Sequence, residues 1–296
     1  MSRLVVVSNR IAPPDDKKSS AGGLAVGILG ALKAAGGLWF GWSGEIGNED
    51  APLKKVTQGN ITWASFNLNE EDHELYYNQF SNAVLWPAFH YRLDLVNFQR
   101  DAWEGYLRVN SLLADKLKPL IEPDDNLWIH DYHLLPFASE LRKRGVNNRI
   151  GFFLHIPFPT PEIFNALPTN TELLEQLCDY DLLGFQTEND RVAFLDCLAS
   201  QTHLSTNSDG EHTAYGKTFR TKVYPIGIEP EEIAQASAGP LPPKLAQLKA
   251  ELANVKNIFS VERLDYSKGL PERFQAFETL LEKYPEHHGK IRYTQI

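Results

Sequence analysis

The sequence places two cations, Arg263 and Lys268, five residues apart on a turn closed by Gly269. The apolar run at 257–261 before this turn is typical of a buried strand, and Pro271 after it favours the start of a helix. Guanidinium and ammonium groups bind phosphate oxygens through charge-assisted hydrogen bonds, and a helix N-terminus adds oriented N–H groups. This turn is therefore a candidate binding site for a diphosphate.

A solvated surface loop is the competing interpretation of the same turn. Glu262 and Asp265 lie among the cations and can pair with them, and surface ion pairs are common. Local composition alone favours the surface loop, so the decision depends on the rest of the chain.

A second candidate site lies between the first predicted strand and the first predicted helix. Ser8-Asn9-Arg10 ends the strand, and Gly22 and Gly23 open the helix. Ligands of open α/β sheets collect at the carboxyl ends of strands, where glycines let backbone N–H groups approach a phosphate or a sugar. Arg10 would supply positive charge there. Packing alone also explains glycines at a helix start. The sequence contains no G-x-G-x-x-G motif, so it does not indicate a nicotinamide site.

Three polar residues, His130, Asp131 and His133, follow the apolar strand predicted at 126–130. A carboxylate at the carboxyl end of a strand can accept hydrogen bonds from sugar hydroxyls. Two alternatives remain open, namely that Asp131 caps the helix predicted from Leu134 or that the histidines bind a metal ion. The metal alternative is weak, because the sequence contains no H-E-x-x-H helix and no further cluster of ligands.

A histidine and two aromatic residues complete the set of candidates. His155 ends the apolar strand predicted at 149–155, where a lone histidine is more often structural than catalytic. Tyr77 and Trp86 can form aromatic walls against the face of a sugar, and ordinary core packing is the alternative for both. The sequence contains no G-x-S-x-G nucleophile elbow and no phosphate-binding P-loop.

Length and composition indicate a globular protein and exclude several classes of partner. A chain of 296 residues is expected to form about two domains, and 43% hydrophobic residues can fill their cores. The net charge of −9 disfavours nucleic acid and anionic membranes as partners. Cys178 and Cys197 lack metal-ligand spacing and fit a reducing compartment, so the cytoplasm is the expected location.

Strand-like and helix-like runs alternate through the chain, which predicts an α/β fold with a doubly wound, mostly parallel sheet. The predicted strands are 4–8, 38–42, 61–68, 126–130, 149–155, 182–186, 216–225, 257–261 and 290–296. The predicted helices are 21–35, 70–82, 98–120, 134–144, 161–166, 171–179, 190–200, 244–253 and 271–284.

The composition changes near a small, polar segment at 231–238 and a proline-rich stretch at 239–243. We therefore expect a first domain over residues 1–235 and a second from 236 to 296. The second restarts the alternation of helix and strand but contains only two predicted strands, too few to bury the core of an α/β domain. One complete domain followed by the beginning of another is the expected organisation.

Six sequence blocks, taken together and in order, resemble the trehalose-6-phosphate synthase family of retaining glycosyltransferases in its enterobacterial form. The blocks are Ser8-Asn-Arg10, Gly22-Gly23, His130-Asp-Tyr-His133, His155-Ile-Pro-Phe-Pro159, Pro225-Ile-Gly-Ile228 and Arg263-Leu-Asp-Tyr-Ser-Lys-Gly269. Each block alone is weak, but six in the same order make coincidence implausible. The resemblance extends from residue 1 to residue 296.

This resemblance implies the GT-B fold, in which two Rossmann-like domains face each other across a cleft. It implies transfer of glucose from UDP-glucose to glucose 6-phosphate with retention, giving trehalose 6-phosphate and UDP without a cofactor or a catalytic metal. A homo-oligomer, either a dimer or a tetramer, is also expected. The family's second domain supplies further donor and acceptor contacts beyond residue 296, so residues 1–296 alone are expected to be inactive.

The resemblance also implies roles on the acceptor side. Arg10, Tyr77 and Asp131 would hold glucose 6-phosphate, with Arg10 against its phosphate. Trp86 and Ile156 would determine which anomer of the acceptor is admitted.

On the donor side, Gly22 and Gly23 would lie against UDP-glucose. His155 would contact the donor glucose near the reacting carbon, while Arg263 and Lys268 would neutralise the diphosphate. The resemblance therefore gives catalytic roles to these last three residues.

Two other functions remain open. One is another GT-B transferase of the glycogen-synthase or sucrose-phosphate-synthase type, against which the acceptor-side residues Arg10, Tyr77, Trp86 and Asp131 argue. The other is a non-catalytic fragment that binds sugar phosphates or regulates a partner. The intact pair of cations at 263 and 268 indicates descent from an active transferase but does not exclude this second function.

Overall fold

The computed structural model describes residues 2–11, 23–48, 50–228 and 230–296 of the 296-residue chain. The chain divides into two compact units, Met1–Ile226 and Gly227–Ile296. The division falls ahead of residue 235, after which the composition had suggested a boundary. The helix Pro230–Ala238 therefore belongs to the second unit. It begins at a proline, which is well tolerated in the first turn of a helix.

The first unit is built on a single sheet of ten strands. These strands are β1 Leu4–Arg10, β2 Gly37–Ile46, β3 Lys54–Gln58, β4 Ile61–Leu68, β5 Asn126–His130, β6 Arg149–Phe153, β7 Leu182–Phe185, β8 Ser205–Thr206, β9 Glu211–Ala214 and β10 Lys217–Val223. Their order is β3-β4-β2-β1-β5-β6-β7-β10-β9-β8, and all neighbours from β4 to β10 are parallel. The predicted α/β fold with a mostly parallel sheet is confirmed.

The outer strands β3, β8 and β9 are antiparallel to their neighbours and were absent from the sequence prediction. None of the residues Lys54–Gln58 is buried, and Ser205–Thr206 is only two residues long and exposed. An alternation of apolar and polar residues is the main signal of a strand in a sequence, and β3 and β8 carry too little of it. In β9 the alternation extends over only four residues, Glu211–Ala214.

The first unit also contains a series of helices. They are α1 Gly23–Ala35, α2 Glu70–Asp72, α3 Trp86–Phe89, α4 Arg100–Leu117, α5 Phe137–Lys143, α6 Pro161–Phe164, α7 Asn170–Leu177 and α8 Glu188–Gln201, with a π-helix at His73–Leu85 and short 3-10 helices at Leu93–Leu95, Lys118–Leu120 and Tyr132–Leu134. Central strands are apolar on both faces because helices cover both sides of the sheet. In β1, Val5 and Val7 face the larger core, and Val6 faces a smaller core to which Leu32 of α1 belongs.

Two predicted helices differ from the structure. The prediction over 70–82 expected one α-helix, but only Glu70–Asp72 is α-helical and the segment continues as the π-helix. The prediction over 134–144 began too early. Pro136 has no N–H to donate, and the α-helix starts after it at Phe137.

The second unit contains a two-stranded parallel sheet and three α-helices among its described residues. They are α9 Pro230–Ala238, α10 Pro243–Glu251, β11 Lys256–Ser260, α11 Leu270–Lys283 and β12 Ile291–Gln295, with 3-10 helices at Tyr266–Lys268 and Pro285–His287. Among the described side chains of this unit, Leu270 is the only hydrophobic one that is buried. Of all the helices described, none is long and apolar enough to cross a membrane.

Candidate functional site

The carboxyl ends of three neighbouring strands bring the predicted residues of the first unit together. Strands β1, β5 and β6 are adjacent and parallel. Arg10 is the last residue of β1, Asp131 directly follows β5, and His155 lies two residues after β6. Parallel strands end at the same edge of a sheet, which is where open α/β sheets bind ligands.

The backbone of Asp131 adopts an unusual conformation, with φ at 77° and ψ at 167°. Such a conformation is almost restricted to glycine and costs other residues about 1–3 kcal/mol. Its N–H donates to the carbonyl of Phe153 at 2.9 Å, and its carboxylate accepts from the N–H groups of Tyr132 at 3.0 Å and His155 at 3.3 Å. Asp131 therefore caps a short 3-10 turn and at the same time joins the ends of β5 and β6.

Burial sets the charges at this edge of the sheet. It raises the pKa of Asp131 to about 6, although the two backbone hydrogen bonds favour the carboxylate. Burial also lowers the pKa of His155 to about 4 and that of His133 to about 3. Near neutral pH the site therefore holds a carboxylate that accepts hydrogen bonds and imidazoles that carry no charge.

His130 and His155 are joined by a hydrogen bond, since Nδ1 of His130 lies 2.9 Å from Nε2 of His155. His130 is only 1% exposed, and burial together with the adjacent His155 lowers its pKa. Its Nε2 is also buried and has no hydrogen-bond partner within the described ranges. Two neutral imidazoles therefore share one hydrogen bond at the ends of β5 and β6.

The turn at 132–135 is fixed by buried side chains from elsewhere in the first unit. The carbonyls of residues 132, 133 and 134 accept hydrogen bonds from Tyr106 at 2.7 Å, Asn110 at 3.2 Å and Tyr180 at 2.6 Å. The hydroxyl of Tyr106 also accepts from the N–H of residue 135 at 3.2 Å. The sequence analysis did not identify these three residues. For the two tyrosines a signal was available, because the hydroxyl of a buried tyrosine usually has a hydrogen-bond partner.

Tyr77 and Trp86 belong to a continuous strip of aromatic rings. We call it the aromatic strip; neighbouring ring centroids along it lie 4.0–5.6 Å apart, in the order Trp42, His73, Tyr77, His133, Tyr132, Trp86 and His90. Tyr77 stacks on His133 with an angle of 10° between the rings. Tyr77 and Trp86 are half-buried, so each packs on the core and also presents a surface to solvent.

Arg10 is exposed and forms no ion pair with the residues that the structure describes. Gly44 has a φ of +88°, which favours glycine, and the guanidinium of Arg10 lies against it, since a Cβ atom at Gly44 would be 2.4 Å from Nε of Arg10. The hydroxyl of Tyr76 donates to Oδ1 of Asn9 at 2.9 Å and ties the π-helix to the residue before Arg10. Neither Gly44 nor Tyr76 was among the predicted site residues.

The remaining candidates of the first unit are the glycine pair and Ile156. Helix α1 begins at Gly23, whereas Gly22 lies outside the described residues. Ile156 directly follows His155 and is 8% exposed. Within the described ranges, no group of three or more histidine, cysteine or acidic side chains could hold a metal ion.

Arg263 and Lys268 lie in the second unit, on the turn between β11 and α11. A short 3-10 helix ends at Lys268, and Gly269 follows with a φ of 63°. The carboxylate of Asp265 accepts from the N–H of Ser267 at 2.8 Å. Burial acts to raise the pKa of Asp265, but this bond and the charges of Arg263 and Lys268 outweigh it, so that pKa is lowered.

The other acidic residue of this turn has a different partner. Glu262 pairs with Arg273 of α11 at 3.2 Å, and Arg273 also donates to Oγ of Ser260. The carboxylate of Glu262 is therefore drawn towards the helix rather than along the turn.

Two acidic residues and both thiols elsewhere in the first unit have structural explanations. Asp179 pairs with Lys217 at 3.0 Å and Asp181 with Arg142 at 2.9 Å. Burial raises the pKa of both cysteine thiols to about 12, which keeps them protonated. None of these groups has the character of an activated nucleophile.

Comparison with known proteins extends over the whole chain. The sequence profile of glycosyltransferase family 20 matches residues 2–296. A trehalose-6-phosphate synthase of Cronobacter sakazakii is 95% identical over 296 residues, which is 100% of this chain and 62% of that protein. The chain thus spans less than two thirds of the length of this curated relative.

Two similar solved structures were obtained with ligands. One is described as "Trehalose-6-phosphate from E. coli bound with UDP-2-fluoro glucose"; it is 82% identical, has a TM-score of 0.94, and the match covers 99% of this chain and 64% of that one. The other is an α,α-trehalose-phosphate synthase (UDP-forming) from Burkholderia xenovorans in complex with glucose-6-phosphate. It is 49% identical with a TM-score of 0.93, and the match covers 99% of this chain and 65% of that one.

Proposed function

Because the chain is a member of glycosyltransferase family 20 with an α/β fold of the GT-B type, we propose that the whole protein is a trehalose-6-phosphate synthase. The reaction would transfer glucose from UDP-glucose to glucose 6-phosphate with retention, releasing UDP, as a step of trehalose biosynthesis that protects cells under osmotic stress. The observation that carries this proposal is the convergence of Arg10, Asp131 and His155 at one sheet edge in a chain 95% identical to a named synthase.

On the acceptor side, Arg10 would bind the phosphate of glucose 6-phosphate, while Tyr77 and Asp131 would hold its sugar. The exposed guanidinium over Gly44 supports the first role. An ionised carboxylate near neutral pH, held by two N–H groups, supports hydrogen bonding from sugar hydroxyls. Trp86 and Ile156 would select the acceptor anomer.

On the donor side, Gly22 and Gly23 would lie against UDP-glucose, and Arg263 with Lys268 would bind its diphosphate. The position of both cations on the turn that leads into α11 supports the second role. Their charges also help to lower the pKa of Asp265, after the hydrogen bonds from Ser267. His155 would contact the donor glucose near the reacting carbon as a neutral imidazole, because its pKa of about 4 leaves it uncharged.

The chemistry of this proposal is stabilisation of the charge that develops on the departing UDP. Each charge-assisted hydrogen bond from a protein cation contributes about 1.5–3 kcal/mol, so two or three would accelerate the reaction by several powers of ten. The acceptor hydroxyl would attack from the face that UDP leaves, through an ion pair with oxocarbenium character. Retention by this route needs no covalent nucleophile and no metal ion.

The first unit would form the acceptor-binding domain, and the second unit would open the nucleotide-sugar domain. We propose further that the protein is a cytoplasmic homo-oligomer that needs no cofactor and binds neither nucleic acid nor membrane. Two free cysteines that form no disulfide with each other support a reducing compartment.

The test is UDP release from UDP-glucose in the presence of glucose 6-phosphate, with residues 1–296 compared against a protein extended to the full length of its relatives. We expect activity only in the extended protein. Robust activity of residues 1–296 alone would contradict the expected dependence on a complete second domain. Absence of activity in both would favour a fragment that only binds sugar phosphates.

Two variants of the extended protein separate the proposed donor and acceptor roles. Arg263→Ala should mainly lower kcat, because the diphosphate charge develops in the transition state. Arg10→Ala should mainly raise the KM for glucose 6-phosphate. An unchanged KM after Arg10→Ala would remove that residue from the acceptor site, and acceptance of a different sugar would point to another GT-B transferase.

A further inference from the structure

His130 is a buried histidine that packs against aromatic rings and also forms a hydrogen bond with another histidine side chain. Its ring packs against Trp128, with centroids 4.3 Å apart, and lies near Phe153, with centroids 6.4 Å apart. Its Nδ1 lies 2.9 Å from Nε2 of His155. The contact links a residue with no role so far to one that we place beside the donor sugar.

The direction of this hydrogen bond follows from the other nitrogen of His130. A neutral imidazole carries one proton, so if His155 donated, Nε2 of His130 would have to carry an N–H. That Nε2 is sealed from solvent and has no acceptor within the described part of the chain. A buried N–H without an acceptor is rarer than an unpaired acceptor lone pair. His130 is therefore the donor, through its Nδ1–H.

The tautomer of His155 is then determined. With Nε2 occupied as an acceptor, the proton of His155 resides on Nδ1. No residue of the described ranges accepts a hydrogen bond from this Nδ1–H, and His155 is half-buried, so the group remains available to a ligand.

We propose that His130 is a positioning residue, which donates a hydrogen bond to Nε2 of His155 and thereby holds Nδ1–H of His155 towards the donor glucose. This inference rests on the proposed function for the identity of the sugar, but the tautomer itself does not. Asp131 assists, because its carboxylate accepts from the backbone N–H of His155 at 3.3 Å and fixes the chain at that point.

The first measurement is the tautomer of His155, read from nitrogen NMR of the histidine-labelled 296-residue chain near neutral pH. His155→Gln assigns the signal among the nine histidines. We expect a protonated Nδ1 and an unprotonated Nε2 in the wild type. A proton on Nε2 of His155 would overturn the proposal without reference to any enzymatic activity.

The second measurement uses two variants of the extended protein. His130→Leu removes the donor, and we expect kcat to fall by ~10- to 100-fold with little change in either KM, as for a misplaced reacting group. His130→Asn keeps an N–H near the position of Nδ1 and should recover most of kcat. In the NMR experiment, His130→Leu should lose the single tautomer and His130→Asn should keep it.

The outcomes are distinct from those that test the proposed function. An extended wild-type protein that releases no UDP contradicts the synthase assignment, and the NMR result alone then decides the role of His130. If the wild type is active but both variants lose kcat equally, His130 acts only through packing and the proposal fails. Unchanged kcat and tautomer in His130→Leu would have the same consequence.

Discussion

Single residues of the candidate site can lower the stability of the fold, and Asp131 is the main example. Its φ of 77° is unfavourable, and its buried carboxylate has a pKa of about 6 instead of 3.8. Because the folded-state pKa is the higher one, the carboxyl group favours folding below pH 3.8. That contribution is lost as the pH rises through about 6. Ionised Asp131 therefore destabilises the fold near neutral pH.

Asp131→Asn should stabilise the first unit, and more at pH 8 than at pH 5. The amide keeps the oxygen that accepts from two N–H groups but cannot ionise, so the gain in free energy of unfolding should differ by about 1 kcal/mol between the two pH values. Urea denaturation followed by tryptophan fluorescence measures it. In the extended protein, the same substitution should raise the KM for glucose 6-phosphate.

Asp115→Asn is the matched control within the first unit, because the hydrogen bond and ion pair with Arg144 lower the pKa of Asp115 in the folded state. Its carboxylate favours folding above its ordinary pKa, so this substitution should bring no gain at pH 8. An equal gain from Asp131→Asn at both pH values would show that relief of the buried charge is not the cause.

The sequence indicated the strand-end residues of the site but not their surroundings. Asp131 and His155 follow apolar runs, so their position at a sheet edge could be derived from parallel pairing alone. The contact of Gly44 with Arg10 could not, because register shifts interrupt β1 after Val7 and β2 after Trp42. Such irregularities change which side chains meet and leave no periodic signal.

Secondary-structure elements define the geometry of the aromatic strip. The π-helix His73–Leu85 buries Tyr76, Phe80, Ser81, Val84 and Leu85, a spacing of four or five residues. The same residues are compatible with an α-helix, which is why the sequence predicted one over 70–82. Hydrogen bonds from each N–H to the carbonyl five residues earlier widen the turn, and π-helical turns are frequent at functional sites.

Helix α4 should determine the stability of the turn that carries Asp131. Tyr106→Phe leaves the carbonyl of residue 132 and the N–H of residue 135 without their partner, so we expect a loss of about 2–5 kcal/mol in free energy of unfolding. The loosened turn should also raise the KM for the acceptor in the extended protein. Chemical denaturation and UDP-release kinetics measure the two effects.

Tyr180→Phe is the matched control, because its hydroxyl makes one hydrogen bond to the same turn. We expect a smaller loss, about 1–3 kcal/mol. If the two variants lost the same stability and Tyr106→Phe left the KM unchanged, the anchoring role of Tyr106 would be wrong.

At the scale of the whole molecule, the two units differ sharply in how much apolar surface they bury. All buried hydrophobic side chains of the described ranges except Leu270 belong to Met1–Ile226. Counting strands in the sequence gave the same asymmetry, because a pair of parallel strands has too few neighbours to form a core. The position of the boundary was harder to predict, since Pro230 begins a helix in a segment whose composition resembles a linker.

This asymmetry predicts that the second unit of the 296-residue chain opens far more readily than the first. Amide hydrogens exchange through local opening, whose free energy is low where few apolar side chains are buried. We expect amides of β11 and β12 to exchange at least ~10-fold faster than those of β1 and β5, a difference of about 1.4 kcal/mol or more.

Hydrogen exchange with mass spectrometry measures this difference. The extended protein is the control, because added neighbours of β11 should slow the exchange of its amides. Equal protection of β11 and β1 in the 296-residue chain would mean that the paired strands and α11 are stable by themselves, and the expected dependence on further chain would be wrong.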